Sequence, residues 1–206
     1  MPDSSFLIAA FATLFVVINP PGLVPLFIAL TRGRDATYRR ALAQRACLIA
    51  AGILTLFGLF GEDLLAFIGI SIPAFRIAGG ILLFLTALDM LFEQRTQERD
   101  GRDIGAGADP SVFPLATPLI AGPGAIATMI LLMGQAGDDW SQRLEIFGLL
   151  YGVILATFLA FLLSAALERL LGKTGTVVIT RLLGMLLAAL AVQFVIDGVR
   201  GTGLIG

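Results

Sequence analysis

The chain has no histidine, a single cysteine and little charge: of 206 residues, 14 are Lys or Arg and 15 are Asp or Glu. The missing histidine removes imidazole general bases, Ser-His triads and imidazole metal ligands together. One thiol, Cys47, builds neither a disulfide framework nor a thiolate metal site. Its place in an apolar run marks it as a small buried hydrophobe. Charged residues make up 14% of the chain, against roughly 25% in an average soluble domain. A net charge of −1 carries no electrostatic footprint for a nucleic-acid partner.

What is present is apolar. Hydrophobic residues make up 57% of the chain, and the mean hydropathy is +0.93. Six apolar segments cover residues 6–30, 42–61, 72–92, 112–133, 144–167 and 176–199. Each is near the ~20 residues that a helix needs to cross a hydrocarbon core of ~30 Å. Stretches such as Ile81–Leu85 and Phe158–Leu163 lack the alternation of barrel strands, so the spans are helices, which satisfy their own backbone in lipid. The first segment does not read as a cleaved leader. Met1–Ser5 carries Asp3 and no Lys or Arg, and Phe6 to Leu30 is too long for a signal-peptide core.

Orientation follows from the basic residues of the short loops. The first loop holds Arg32, Arg34, Arg39, Arg40 and Arg45, the third Arg95, Arg99 and Arg102, and the fifth Arg169 and Lys173. The other side has Arg143 and Arg200. The asymmetry makes loops one, three and five cytoplasmic and places both termini outside. Glu93 to Ser111 mixes both signs with glycines and reads as a cytoplasmic linker (about 93–111) between repeat 1, about 6–92, and repeat 2, about 112–199.

The two halves resemble one another. Ile18-Asn19-Pro20-Pro21-Gly22-Leu23-Val24 corresponds to Ile120-Ala121-Gly122-Pro123-Gly124-Ala125-Ile126, with Pro21 and Pro123 102 residues apart. Phe75-Arg76-Ile77-Ala78-Gly79 corresponds to Thr180-Arg181-Leu182-Leu183-Gly184. Three spans per half is an odd number, so the second half enters the membrane in the opposite sense. The expected fold is all-α: one integral membrane domain over residues 1–206, with six transmembrane helices in two inverted three-helix repeats and broken first and fourth helices.

Proline lacks an N–H and clashes with the preceding turn, and glycine tolerates most backbone conformations. Pro20, Pro21 and Gly22, with Pro25 one turn on, are expected to interrupt the first helix. Pro118, Gly122, Pro123 and Gly124 are expected to interrupt the fourth. Such breaks survive at membrane depth only when buried in protein or lining a cavity. The half-helix after each break points a positive N-terminus inward and suits a carboxylate. The carbonyls before the break suit a cation. A kink without a site is the plainer reading of any one proline. Asn19 either caps the resumed helix or contacts a ligand.

Other polar residues have two readings each. Arg76 and Arg181 begin the third and sixth spans, where they snorkel or serve a site. Asp89 and Asp197 are the acids nearest the membrane core, candidates for coupling to H⁺ or Na⁺ or simply solvated at helix ends. Thr86, Thr117 and Thr128 are expected to bond back to their own helices. Gly148, Gly152, Ala156, Ala160 and Ser164 form a small-residue seam on the fifth span, for packing against a helix of the same chain in the first reading and against another subunit in the second.

Asn19-Pro20-Pro21-Gly22-Leu23-Val24-Pro25 resembles the N-P-x-G-x-x-P signature of the MarC family of six-helix bacterial and archaeal inner-membrane proteins. Gly69 to Gly80 is similar to the family's stretch before the third helix. Pro114-Leu115-Ala116-Thr117-Pro118-Leu119-Ile120-Ala121-Gly122-Pro123-Gly124 resembles P-L-A-x-P-x-x-x-G-P-G, with Thr117 in place of the usual aliphatic residue. The family is grouped with small neutral amino-acid transporters. The resemblance therefore implies a secondary transporter of small neutral solutes such as glycine or alanine, in the cytoplasmic membrane. Asn19, Pro20, Pro21, Gly22, Thr117, Gly122, Pro123 and Gly124 are the substrate-binding candidates. No cofactor, metal or catalytic residue is expected, because a nucleophile with an activating base is missing. The lipid bilayer, a small solute and a coupling H⁺ or Na⁺ are the expected partners, and the oligomeric state stays open. A scaffold or regulatory protein without transport is the alternative.

Overall fold

A computed structural model of the chain describes residues 4–92 and 109–203. Most of the expected linker, with Arg95, Arg99 and Arg102, lies outside the described residues. Helices α1 (Ser4–Ile18) and α2 (Pro20–Leu30) form the first span, α3 (Ala36–Ile68) the second and α4 (Ile72–Phe92) the third. Helices α5 (Ser111–Ile120) and α6 (Pro123–Ala136) form the fourth, α7 (Trp140–Leu162) the fifth and α8 (Ser164–Gly201) the sixth. No strand occurs among the described residues.

Local chemistry sets the helix ends. The Asp35 carboxylate accepts the Tyr38 N–H at 3.4 Å at the start of α3, and Gly69 closes it with φ 83°. The Asp139 side chain takes the Ser141 and Gln142 N–H groups at the start of α7. These caps satisfy donors that a helix terminus otherwise leaves open. They also lengthen the second span beyond 42–61. At 33 residues α3 is about 50 Å long, well over a hydrocarbon core of ~30 Å. Arg39, Arg40 and Arg45 therefore ride on a projecting helix and not in a loop. The fifth span ends at Leu162, short of the expected 167. The following segment is already helical and turns at Gly172, φ 60° and ψ 178°, a conformation open to glycine.

Packing fixes the direction of each helix. Helix α7 runs against α3: Thr55 bonds Tyr151 at 3.0 Å, while Arg39 donates to Ser164, just beyond α7, at 2.7 Å. Helix α6 runs along α3, with Gly58 beside Met129, Gly61 beside Ile130 and Glu62 beside Gly134. Helix α8 runs against α4, with Gly198 near Pro73 and Ile77, Gly80 near Ala191 and Val195, and Gly184 near Ala87 and Met90. The bend of 54° between α5 and α6 is compatible with a crossing helix or with a loop that dips and returns. A returning loop would make α6 antiparallel to α3 and α8 parallel to α4. Neither holds, so α5–α6 crosses, and the halves traverse the membrane in opposite senses.

Lipid offers no hydrophobic gain for helix association, so close backbone packing does that work. A methyl on Gly80 would lie 2.8 Å from the Ala191 carbonyl oxygen, and one on Gly184 would lie 3.1 Å from Met90 Cβ. These glycines set the separation of α4 and α8. On α3 a buried stripe of small residues, Ala43, Ala46, Ala50, Gly58 and Gly61, serves the same purpose. The outer surface is apolar, with Phe67 90% exposed and Ile8 70% exposed, as lipid contact requires. The expected seam on the fifth span packs within the chain only in part: Gly148 and Gly152 are exposed, while Ala156 and Ala160 are half-buried. A methyl at Gly148 or Gly152 meets nothing within 4 Å. Ser164 is buried, but it belongs to α8 and accepts from Arg39.

Candidate functional site

The first break is a single residue. Asn19 adopts φ 52° and ψ 62°, the left-handed conformation that asparagine enters more readily than most residues. Helix α2 resumes at once with Pro20 at its first position, so Pro20, Pro21 and Gly22 are helical and not unwound. The Asn19 Oδ1 accepts the Gly22 N–H at 3.2 Å, and the Asn19 carbonyl accepts the Leu23 N–H at 3.3 Å. Pro20 and Pro21 have no N–H to give. The first turn of α2 thus has no spare donor, which overturns the expected carboxylate seat at Gly22.

The break leaves acceptors instead. An α-helical carbonyl takes its bond from the N–H four residues on. Val16 and Val17 face Pro20 and Pro21 at that offset, and Ile18 loses the Gly22 N–H to the Asn19 side chain. No donor among the described residues reaches these three carbonyls. They form the negative end of α1. Asn19 itself is 8% exposed, and among the described residues its Nδ2 reaches only Met90 Sδ, at 3.9 Å. A thioether is a weak acceptor, so that amide keeps donor capacity.

The second break is longer. Helix α5 is wound with bonds to the fifth residue back: Leu115 N–H to the Pro110 carbonyl at 3.4 Å and Ala121 N–H to the Ala116 carbonyl at 2.8 Å. Phe113 and Thr117, each before a proline, are extended at φ −129° and φ −130°, as a following ring favours. Gly122 is also extended, and Pro123 opens α6 at the position proline prefers. The break proper is Ala121–Gly122, and Gly124 is helical. Of the donors in the first turn, Ile126 N–H takes the Gly122 carbonyl at 3.0 Å. Among the described residues the N–H groups of Gly122, Gly124 and Ala125 have neither a backbone partner nor a side-chain cap, and all three residues are buried. They form a positive helix end.

The two ends meet. A methyl added to Gly124 would touch Val17 Cγ1 at 3.6 Å and collide with Leu83 Cδ2 on α4. The first turn of α6 therefore lies beside the last turn of α1, and the atoms nearest the Gly124 position are apolar carbons of Leu83 and Val17. Opposite partial charges in an uncharged, buried setting suit a small zwitterion or a polar neutral solute.

Not every candidate joins this contact. Thr117 is exposed on α5. Asp197 sits near the end of α8, bonded to Gln193 at 2.8 Å and 3.9 Å from Arg200. Its neighbour Gly198 packs on Pro73 and Ile77, more than a turn along α4 from Leu83. Asp89 is half-buried on α4 beside Met90, nearer to Asn19. Arg76 is half-buried in the first turns of α4 and Arg181 exposed on α8. Thr86 bonds back to the Leu82 carbonyl at 3.0 Å as expected, but Thr128 does not, and its buried hydroxyl has no partner among the described residues. The carbonyls before the first break, expected to suit a cation, are those of Val16–Ile18, which the prolines four residues on leave without donors. No group of three His, Cys, Asp or Glu side chains is placed to hold a metal among the described residues.

One polar cluster steadies the approach to α5. Asp109 Oδ1 accepts the Ser111 N–H at 2.9 Å and the Ser111 hydroxyl at 2.7 Å, and Arg45 of α3 stands 3.8 Å away. The Ser111 backbone bond, then its hydroxyl, hold the Asp109 carboxyl below its ordinary range, with Arg45 adding to them.

Fold and site together define a polytopic α-helical membrane protein made of two opposed halves, each with one interrupted span. The chain belongs to the MarC family: a model of MarC family integral membrane proteins matches residues 4–202. It is 39% identical over 202 residues to a UPF0056 membrane protein of Methanocaldococcus jannaschii, covering 97% of this chain and 98% of the relative. It is also 39% identical to the UPF0056 membrane protein YvbG of Bacillus subtilis, covering 96% and 95% of the two chains. The UPF0056 inner membrane protein YhgN of Escherichia coli is 34% identical over 194 residues, 94% of this chain and 96% of its own. No solved structure matches the chain.

Proposed function

We propose that this protein is a secondary transporter of small neutral solutes, amino acids of the size of glycine or alanine, in the cytoplasmic membrane with both termini outside. One observation carries the reading: Gly124, in the turn that opens α6 with free N–H groups, lies against Val17, in the turn that ends α1 with free carbonyls. The solute's ammonium faces the carbonyls of Val16–Ile18, and its carboxylate faces the first turn of α6. The Asn19 amide, fixed by its bond to Gly22, offers Nδ2 as a further donor. Leu83 and Val17 wall the contact with apolar groups, which favours a small side chain. Rocking of one half against the other exposes the contact to each side in turn. Asp89 is the coupling candidate for H⁺ or Na⁺, since it adjoins the residue that touches Asn19. No catalytic role is part of this proposal.

Purified protein in liposomes tests it. Labelled alanine or glycine accumulates under an imposed H⁺ or Na⁺ gradient, and Asn19→Ala or Gly124→Leu abolishes the accumulation. Absence of movement for both solutes under every gradient removes the reading.

A further inference from the structure

Thr128 stands out among the buried threonines. Thr31 donates to the Phe27 carbonyl at 2.7 Å and Thr157 to the Val153 carbonyl at 2.9 Å, the usual way a membrane helix absorbs a hydroxyl. Thr128 is 0% exposed, yet its Oγ1 has no partner among the described residues. A buried hydroxyl without a bond is costly to keep. It lies on α6 four residues beyond Gly124, so the two share one helix face. Turning about its Cα–Cβ bond, a threonine at this offset can bring its hydroxyl back over the preceding turn. That turn holds the other orphaned donors, the N–H groups of Gly124 and Ala125. Gly124 has no side chain to cover them, and the notch above it is filled by the Leu83 side chain.

We infer that Thr128 and the first turn of α6 form a carboxylate-binding subsite, in which the hydroxyl and the free N–H groups converge on one carboxylate as Leu83 turns aside. This rests on the solute site proposed above and assigns its specificity to a named side chain. Thr128 then selects solutes with a carboxylate over otherwise similar amines.

The test uses the full chain in nanodiscs, with alanine, propionate and ethylamine as probes and binding read by titration calorimetry. Alanine and propionate bind and ethylamine does not. Thr128→Val, which keeps shape and loses the hydroxyl, weakens both acids by about tenfold or more, the worth of a bond to a charged group. Thr128→Ser restores them. A merely structural Thr128 would change thermal stability and leave the preference for acids over the amine intact. Equal binding of the acids to Thr128→Val and the natural chain overturns the inference, as does ethylamine binding as well as propionate, or no acid binding at all. Liposome uptake separates this from the transport proposal. Acid binding without alanine transport leaves the subsite and removes the transporter. Alanine transport untouched by Thr128→Val does the reverse.

Discussion

Replacing Asn19 separates the two things its side chain does. In Asn19→Ala the Gly22 N–H loses its acceptor at 3.2 Å inside the protein, a cap worth about 1 kcal/mol. The residue must also hold φ 52° with a Cβ and no local polar compensation, which adds about 1 kcal/mol. In Asn19→Gly the cap is lost as well, but glycine enters the left-handed region freely. The expected losses are therefore about 2 kcal/mol for alanine and about 1 kcal/mol for glycine. A chain of this size loses roughly 2–4 °C of melting temperature per kcal/mol. Alanine should thus melt about 4–8 °C lower and glycine about 2–4 °C lower. The chain supplies its own reporter, because Cys47 is its single thiol and is buried. A thiol-reactive fluorogenic dye lights up only as the helices separate. An alanine variant as stable as the glycine variant, or more so, would refute the account of this break as a strained, capped asparagine.

Gly80→Ala should lower the melting temperature, because its methyl would meet the Ala191 carbonyl oxygen at 2.8 Å. Gly152→Ala, with nothing within 4 Å, should leave it unchanged or raise it, by up to about 1 kcal/mol. The same dye assay compares them. Asp109 has a depressed carboxyl pKa in the folded protein. Its contribution is present above the ordinary carboxylate value and is lost as pH falls through the lower folded value. Melting curves across acidic pH should show Asp109→Asn less stable than the natural chain at neutral pH, with the gap closing in acid. A gap that widens in acid contradicts the assignment. Orientation is tested on intact cells with a membrane-impermeant maleimide. A cysteine replacing Asp138 should be labelled and one replacing Arg34 should not, and the opposite pattern reverses the proposed topology.

Much of this architecture was legible in the chain itself. Apolar run length against bilayer thickness gives the six crossings, and prolines mark the two interruptions, because both rules are local. The helix ends were less legible. Asp35 and Gly69 extend α3 well past its apolar part, since caps and not hydropathy terminate a helix. The first half of the seam on the fifth span misled, because a stripe of small residues signals that a close approach is possible and not that a partner helix of the same chain is there. Gly148 and Gly152 face outward, and the Gly80 and Gly184 contacts carry the close packing instead.

By itself, the sequence determined that this is a membrane protein of helices, broken at two related places, because chain chemistry within a few residues dictates both. Tertiary structure decided which groups those breaks leave free and where they point. The Asn19 amide consumes the Gly22 donor, α6 keeps its own, and Val17 comes against Gly124 across more than a hundred residues of chain. The orphaned hydroxyl of Thr128 is of the same kind. A polar atom's partner is set by whatever the fold brings within about 3 Å of it, and that distance cannot be read along a chain.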